Sequence, residues 1–547
     1  MRPKQKIKNL RINHMMVGLL LAIPFTACSS DKPDSVVSPV VAINLVSVPN
    51  GDFEKSLEGW TISDQSLPMV DLADDGCSGS KALRLSTSNK ASVKVEQTID
   101  HVENGYYDLE FYAKDGGDNH VSYVSANGRM TALEASANSW KRLYIRGVEV
   151  KDGKVDLSIN LKTDLADNIA SSLARSAYSE FDGLKLISRK ENQIFLKGGD
   201  VSMLSYVEQN GGKYYEQGQE GDCLDILKAN GMNIVRLRLY NDPGNPDYEY
   251  SKLMPKGIAD TKDVLKLAKR AKEKGFQILL SFHYSDYWTN GEDQHIPHEW
   301  EGKNFAELQT ALHDYTCDVL KKMEAQGTMP EYVAIGNEIQ AGLLYPYGKC
   351  KNEDETSNEI NMCALFSTAS QAVREVAPDS KVILHLDGAG NKETYNWFLG
   401  LMQKYHVDYD VIGSSYYPFW VHRTAETVCN WAEYVTDKFD KDLIFMETGY
   451  AWNPTLKDGT VGQLGNNDPY KDMTKAGHKN FLLELSNAIK NVPNQRVLGY
   501  VYWDPIFIET PTPTGWIVGQ KNYVSNTTLF DFEGNRIMGM DAMQYNN

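Results

Sequence analysis

Two glutamates stand where an apolar run should hold none. Glu338 ends Tyr-Val-Ala-Ile-Gly-Asn-Glu over 332–338, and Glu447 ends Leu-Ile-Phe-Met-Glu over 443–447. A strand buried on both faces leaves a carboxylate solvated only at its tip, so each should project from a strand end into a cavity. Two such carboxylates on one parallel sheet suit acid/base and nucleophilic work on a glycosidic bond.

The elements that must position them alternate. Buried strand-like runs lie at 195–204, 233–240, 277–284, 332–339, 381–387, 411–418, 443–450 and 497–505, and helical periodicity lies between them at 261–274, 305–326, 359–376, 392–405, 425–439 and 472–489. Eight β-then-α units predict a closed (β/α)₈ TIM barrel, whose site lies at the C-terminal strand ends. Those ends collect Asp200, Arg236, Arg238, His283, Asp286, Trp288, Asn337, Glu338, His385, Asp387, Tyr416, Tyr417, Glu447, Trp503 and Asp504. Carboxylates, hydrogen-bonding groups and flat aromatic faces are the composition of a carbohydrate site. No GxGxxG or P-loop supports nucleotide binding.

Before the barrel, residues 44–190 change to short alternating strands separated by Gly, Asn and Asp turns, an antiparallel β-sandwich pattern. Asn50-Gly-Asp-Phe-Glu with Gly59-Trp60, and the closing Phe181-Asp-Gly-Leu, resemble the galactose-binding-like jelly rolls found beside carbohydrate enzymes. Trp60, Tyr123 or Tyr144 are its candidates for stacking on a sugar.

At the start, Arg2, Lys4, Lys6, Lys8 and Arg11 precede an apolar run too short to span a bilayer, which reads as a signal peptide over 1–27. Thr26-Ala27-Cys28 resembles a bacterial lipobox, with Phe25 a departure from the usual Leu or Val. It implies a lipid on Cys28, a polar tether over 28–43, and an exported lipoprotein of the outer membrane, at the cell surface. The formal charge of -17 argues against nucleic acid or an acidic polymer as partner and is compatible with a neutral glycan. The seven cysteines show no metal-like CxxC spacing, and Cys350 with Cys363 is the expected disulfide if export allows one.

The barrel residues also match a family. Lys197-Gly-Gly-Asp-Val-Ser, Asn233-Ile-Val-Arg-Leu-Arg-Leu-Tyr, Phe282-His-Tyr-Ser-Asp-Tyr-Trp, Gly336-Asn-Glu-Ile-Gln-Ala-Gly-Leu-Leu and Leu529-Phe-Asp-Phe-Glu-Gly resemble the arabinogalactan endo-β-1,4-galactanases, retaining (β/α)₈ glycoside hydrolases. The resemblance covers 191–547 and implies Glu338 as acid/base and Glu447 as nucleophile, acting on β-1,4-galactan or arabinogalactan. It implies that Asn337 meets the sugar 2-hydroxyl, and that Arg238 or Arg236, with Tyr416, keeps Glu447 ionised and oriented, Arg238 being the better placed. Trp503 is the expected floor, extended by Asp286, Tyr287 and Trp288, while His283 and Asp387 complete the expected substrate-binding set.

Two departures touch subsite geometry: Thr289 to Pro297 differs from the family's usual run, and Asp504 stands where Glu is common. Catalysis needs no cofactor. Some relatives hold calcium between the last two βα loops, and Asp458, Asp468 and Asp472, with Asn466 and Asn467, are the weak candidates for such a structural ion. A monomer is expected. Composition leaves open a β-mannanase, β-glucanase or β-galactosidase of the same clan, and, in another class, a non-catalytic surface glycan-binding lipoprotein.

Overall fold

The computed structural model describes residues 45–545, apart from short stretches at 64–65, 67–68, 88–91, 117–119, 135–137, 164–176, 190–193 and 352–355. The leader, Cys28 and the tether lie outside the described residues.

The first part is an antiparallel sandwich. One sheet orders Val70–Ala73, Ala82–Thr87, Ala177–Arg189, Gly105–Gly116 and Lys141–Val150, with Leu45–Ser47 on the side; the other orders Thr61–Ile62, Ser92–Asp100, Lys154–Thr163, His120–Ala126 and Arg129–Ala132. Strand Ser92–Asp100 alternates exposed and buried along its whole length, as its Val and Ile positions dictate. The inner faces meet over Phe53, Leu109, Phe111, Val124, Ile145, Ile159 and Phe181. Trp60 belongs to this core: it is 7% exposed, tilted against Phe53, and its indole N–H donates to the Asn50 carbonyl. Tyr123 is buried with its ring 5.3 Å from Tyr545, and the Tyr144 hydroxyl is engaged by Glu110. Two of the three stacking candidates are therefore packing residues, and the third is already bonded.

The second part is a closed barrel of eight parallel strands: β1 (Leu196–Asp200), β2 (Ile234–Leu239), β3 (Gln277–Phe282), β4 (Tyr332–Ile335), β5 (Lys381–Leu386), β6 (Val411–Tyr416), β7 (Asp442–Thr448) and β8 (Val497–Tyr502). Closure is tight at β8, where Gly499 takes φ +151 and a Cβ would meet the Leu196 carbonyl oxygen at 1.9 Å. Leu196, Ile234, Leu279, Ala334, Ile383, Ile444, Met446 and Leu498 fill the barrel interior. The six expected helices form, each within a few residues of its expected ends. Helix Lys475–Asn491 starts later than the pattern suggested because Thr474 caps it, accepting from the Gly477 amide. Helix Phe305–Ala325 begins with a capping box of Asn304 and Glu307, a local device that stabilises a helix start by about 1 kcal/mol.

Sandwich and barrel share a buried seam at the N-terminal ends of the strands. Arg146, 4% exposed, donates to the carbonyls of Ile489, Lys490 and Val492 at 3.1, 2.7 and 3.1 Å, closing the C-terminus of the last long helix. Asn487 donates to the Ala132 carbonyl and Gln495 to the Asp108 carboxylate across the same seam. Cys77, Cys223, Cys317, Cys350, Cys363 and Cys429 are all free thiols, so the expected Cys350–Cys363 disulfide is not formed.

Candidate active site

Glu338 sits just beyond β4 on a turn that only a special backbone allows. Gly336 takes φ +109, and a Cβ there would lie 2.5 Å from Ile339 Cγ2. Glu338 itself has φ 50, a left-handed conformation that costs a side-chain-bearing residue about 1–2 kcal/mol. This turn swings the carboxyl into the barrel mouth.

Glu447 lies within β7, and its direction depends on a bulge. Ile444 and Met446 both face the interior, so strict alternation would send Glu447 outward. The register against β6 skips one residue, pairing Ser414 with Phe445 and Ser415 with Glu447, and the bulge at Met446 turns Glu447 back to the cavity. One carboxylate oxygen from each of Glu338 and Glu447 and a ring nitrogen of His385 lie within 4.8 Å of one another.

The two glutamates have different surroundings. Glu447 Oε1 accepts from Arg236 Nη1 at 2.6 Å, and Oε2 accepts from the Tyr417 hydroxyl at 3.0 Å. Among the described residues Glu338 has no ion-pair partner; Oε1 accepts from the Ser415 hydroxyl at 2.7 Å, and Ser415 lies 2.9 Å from His385 Nε2. Burial, then the Glu447 charge, then the Asp387 charge push the Glu338 pKa well above the ordinary carboxylate value. Burial, then Arg236, pushes His385 well below its ordinary value, so the ring is neutral at pH 7.

Asn337 is held beside this pair, its Oδ1 accepting from Arg236 Nη2 at 2.7 Å and its Nδ2 donating to the Thr289 carbonyl at 2.8 Å. Trp503 stands half-buried between Tyr417, Trp288 and Trp516, with ring centroids 6.1, 6.4 and 4.7 Å away. Asp387 is exposed on the rim after β5. Although the residue is exposed as a whole, loss of water around its carboxyl first, and then the Glu447 charge, raise its pKa against the Gly388 amide that it accepts from.

Four expected positions are corrected. Arg238 is not the partner of Glu447: it is 1% exposed, bonded through Nη2 to Asp504 at 2.6 Å, with its guanidinium 4.5 Å from the Trp288 ring centroid. Both arginines point inward as the two-residue spacing requires, but Asp504, arriving from the turn after β8, captures Arg238 and leaves Arg236 to Glu447. Tyr416 faces the helical layer, donating to the Arg423 carbonyl, and Tyr417 takes the place expected of it. Asp286 is buried and accepts from the amides of Asp242 and His298, so it organises loops rather than facing a ligand. His283 is 1% exposed and paired with the Thr289 hydroxyl, a neutral core residue whose pKa burial and the two arginines push well down. Tyr287 is half-buried beside Tyr250, their centroids 6.2 Å apart.

Sequence reasoning missed Ser415 and Trp516. Ser415 reads as one more small residue in a buried strand. Trp516, whose indole N–H donates to Asp504 Oδ2 at 2.8 Å, sits in a long loop with no periodicity.

Asp458 is bonded by the Lys521 ammonium at 2.8 Å, which already ties the loops after β7 and β8. Among the described residues, Asp458, Asp468 and Asp472 form no group within ligating range.

A closed (β/α)₈ barrel with two facing glutamates at the C-terminal ends of β4 and β7 defines a glycoside hydrolase. Residues 196–543 match the family model described as glycosyl hydrolase family 53. The chain belongs to that family. It is 30% identical over 352 residues to an arabinogalactan endo-β-1,4-galactanase of Cellvibrio japonicus, covering 62% of this chain and 88% of the relative. It is 29% identical over 386 residues to the endo-β-1,4-galactanase of Bacillus subtilis, covering 65% and 86%. Among solved structures, the family 53 catalytic domain of Ignisphaera aggregans superposes with a TM-score of 0.60 at 32% identity, covering 65% of this chain and 97% of that one. The sandwich lies outside the family match.

Proposed function

We propose that this chain cleaves internal β-1,4-galactosidic bonds of galactan or arabinogalactan with retention of configuration. The observation that carries the reading is the facing of Glu338 and Glu447, with oxygens within 4.8 Å in unlike surroundings. Retaining enzymes hold their carboxyls about 5–5.5 Å apart, whereas inversion needs room for a water between them.

Glu338, held protonated by burial and by the two nearby acids, donates its proton to the leaving glycosidic oxygen. With Ser415 on Oε1, the transferable proton belongs on Oε2. Glu447, steadied by Arg236 and Tyr417, attacks the anomeric carbon and forms the covalent glycosyl-enzyme. Glu338, now ionised, takes a proton from the incoming water, and the Ser415 hydroxyl stabilises that anion. Trp503 offers a face for the sugar ring, and Asn337 reaches the 2-hydroxyl with its second amide hydrogen. Galactan as substrate rests on what the two curated relatives are named for.

A time course on linear β-1,4-galactan, with product anomers read by NMR, tests linkage, endo action and retention together. Mixed oligosaccharides appearing first as β-anomers are expected; release confined to mannan or glucan rejects the substrate. Glu447→Ala should lose on the order of 10⁴-fold or more in kcat, and Glu338→Gln about 10²–10⁴-fold, with substrate still bound. The tether belongs to the same proposal: labelled fatty acid should enter the full-length chain in cells and be lost in Cys28→Ala.

A further inference from the structure

Far from the cleft, the helical layer brings together three side chains of the metal-binding kind. His313 and Cys317 are four residues apart on helix Phe305–Ala325, so they share one face, and Glu375 approaches from helix Glu359–Val376. His313 Nε2 lies 3.2 Å from Glu375 Oε2, and Cys317 Sγ lies 3.9 Å from that nitrogen. All three donors fall within 4.8 Å of one another. The other ring nitrogen, Nδ1, is 3.2 Å from Asp314 Oδ1.

Around a tetrahedral zinc ion, nitrogen, oxygen and sulfur ligands stand roughly 3.3–3.6 Å apart, given bonds of about 2.0–2.3 Å. The imidazole–carboxylate pair is already at that spacing, and the thiol, which stands 3.9 Å from both ring nitrogens, joins the set once the imidazole ring turns. A ligating histidine ordinarily donates its second N–H to a carboxylate, which is where Asp314 stands. Plain polar packing explains each contact singly: the thiol lies 3.8 Å from the Ala372 carbonyl, and the imidazole pairs with Glu375. It leaves unexplained why thiol, imidazole and carboxylate converge with an orienting acid behind the ring.

We propose that His313, Cys317 and Glu375 form a site for a zinc-class divalent cation, oriented by Asp314, that ties the helix before β4 to the helix after it. His313 is partly exposed and Glu375 exposed, so solvent can complete the coordination. On binding, the metal–sulfur bond replaces the S–H bond and the thiol proton goes to solvent. The charged groups facing the thiol are His313, Asp314 and Lys321 from its own helix and Glu375 from the other. The site is independent of hydrolysis.

The test titrates the chelator-stripped full chain with Co²⁺ and then Zn²⁺. The expected result is a thiolate-to-cobalt charge-transfer band that zinc bleaches, and a melting temperature raised by zinc. Cys317→Ser should abolish the band and weaken zinc binding about 100-fold, and His313→Gln about 10-fold or more, both hydrolysing substrate at the wild-type rate without metal. Absence of the band, or equal zinc affinity in wild type and Cys317→Ser, overturns the proposal. The second outcome would place the ion elsewhere, such as at the Glu338, His385 and Glu447 oxygens and nitrogens, where it would inhibit both proteins alike.

Discussion

Two buried arginines at opposite ends of the barrel, Arg146 at the seam and Arg236 in the cleft, can be set side by side. Arg146 is 4% exposed and Arg236 fully buried, so both have lost their water. Arg146 meets neutral carbonyls at a helix C-terminus, and burial, only partly offset by Asp108, pulls its pKa down to about 10. For Arg236 burial acts in the same sense, but Glu447 and Asp200 outweigh it and the pKa ends above the ordinary value. Burial sets the cost of a charge, and the partner decides what the charge does. Against carbonyls it fastens two modules; against carboxylates it orients an acid.

The sharpest way to break this comparison is Arg236→Met. It strips the cation from Glu447 and Asp200 together, so kcat/KM should fall about 10²–10³-fold, with stability lost by about 3–5 kcal/mol. Near wild-type turnover in a folded variant would mean that the cleft arginine is only structural. Arg146→Ala should do the opposite, lowering unfolding free energy in urea by about 2–3 kcal/mol while kcat/KM below the melting transition stays unchanged. A tenfold loss of kcat/KM there would mean that the seam speaks to the site.

The smallest effect sharpens the difference between the two glutamates. The Ser415 hydroxyl favours the ionised form of Glu338, opposing burial and the acids Glu447 and Asp387, with Arg236 acting in the same sense as the serine. Removing it should raise the Glu338 pKa. Because Glu338 must be protonated in the free enzyme, the basic limb of kcat/KM in Ser415→Ala should move to higher pH, by up to about one unit, and the acidic limb should stay in place. A fall in rate with both limbs unmoved would assign the serine to packing alone.

Much of the architecture was legible before any coordinates. Eight buried runs with helical periodicity between them gave the barrel, and alternating short strands gave the sandwich, because burial on two faces or one leaves its period in the residue order. Glu338 and Glu447 were legible for the same reason, as charges at the ends of apolar runs. What failed were choices between neighbours. Arg238 against Arg236 turned on an acid 266 residues away, and Tyr416 against Tyr417 turned on where the strand ends.

By itself the sequence determined the element order, the two carboxylates and the apolar faces, since these follow from side-chain type and spacing along one strand or helix. Tertiary structure alone decided which arginine meets Glu447, that Ser415 and His385 back Glu338, that a bulge at Met446 turns Glu447 inward, and that His313, Cys317 and Glu375 meet. Each of those depends on distances between segments far apart in the chain. Local pattern fixes which face a residue lies on, and only the closed barrel fixes what stands opposite it.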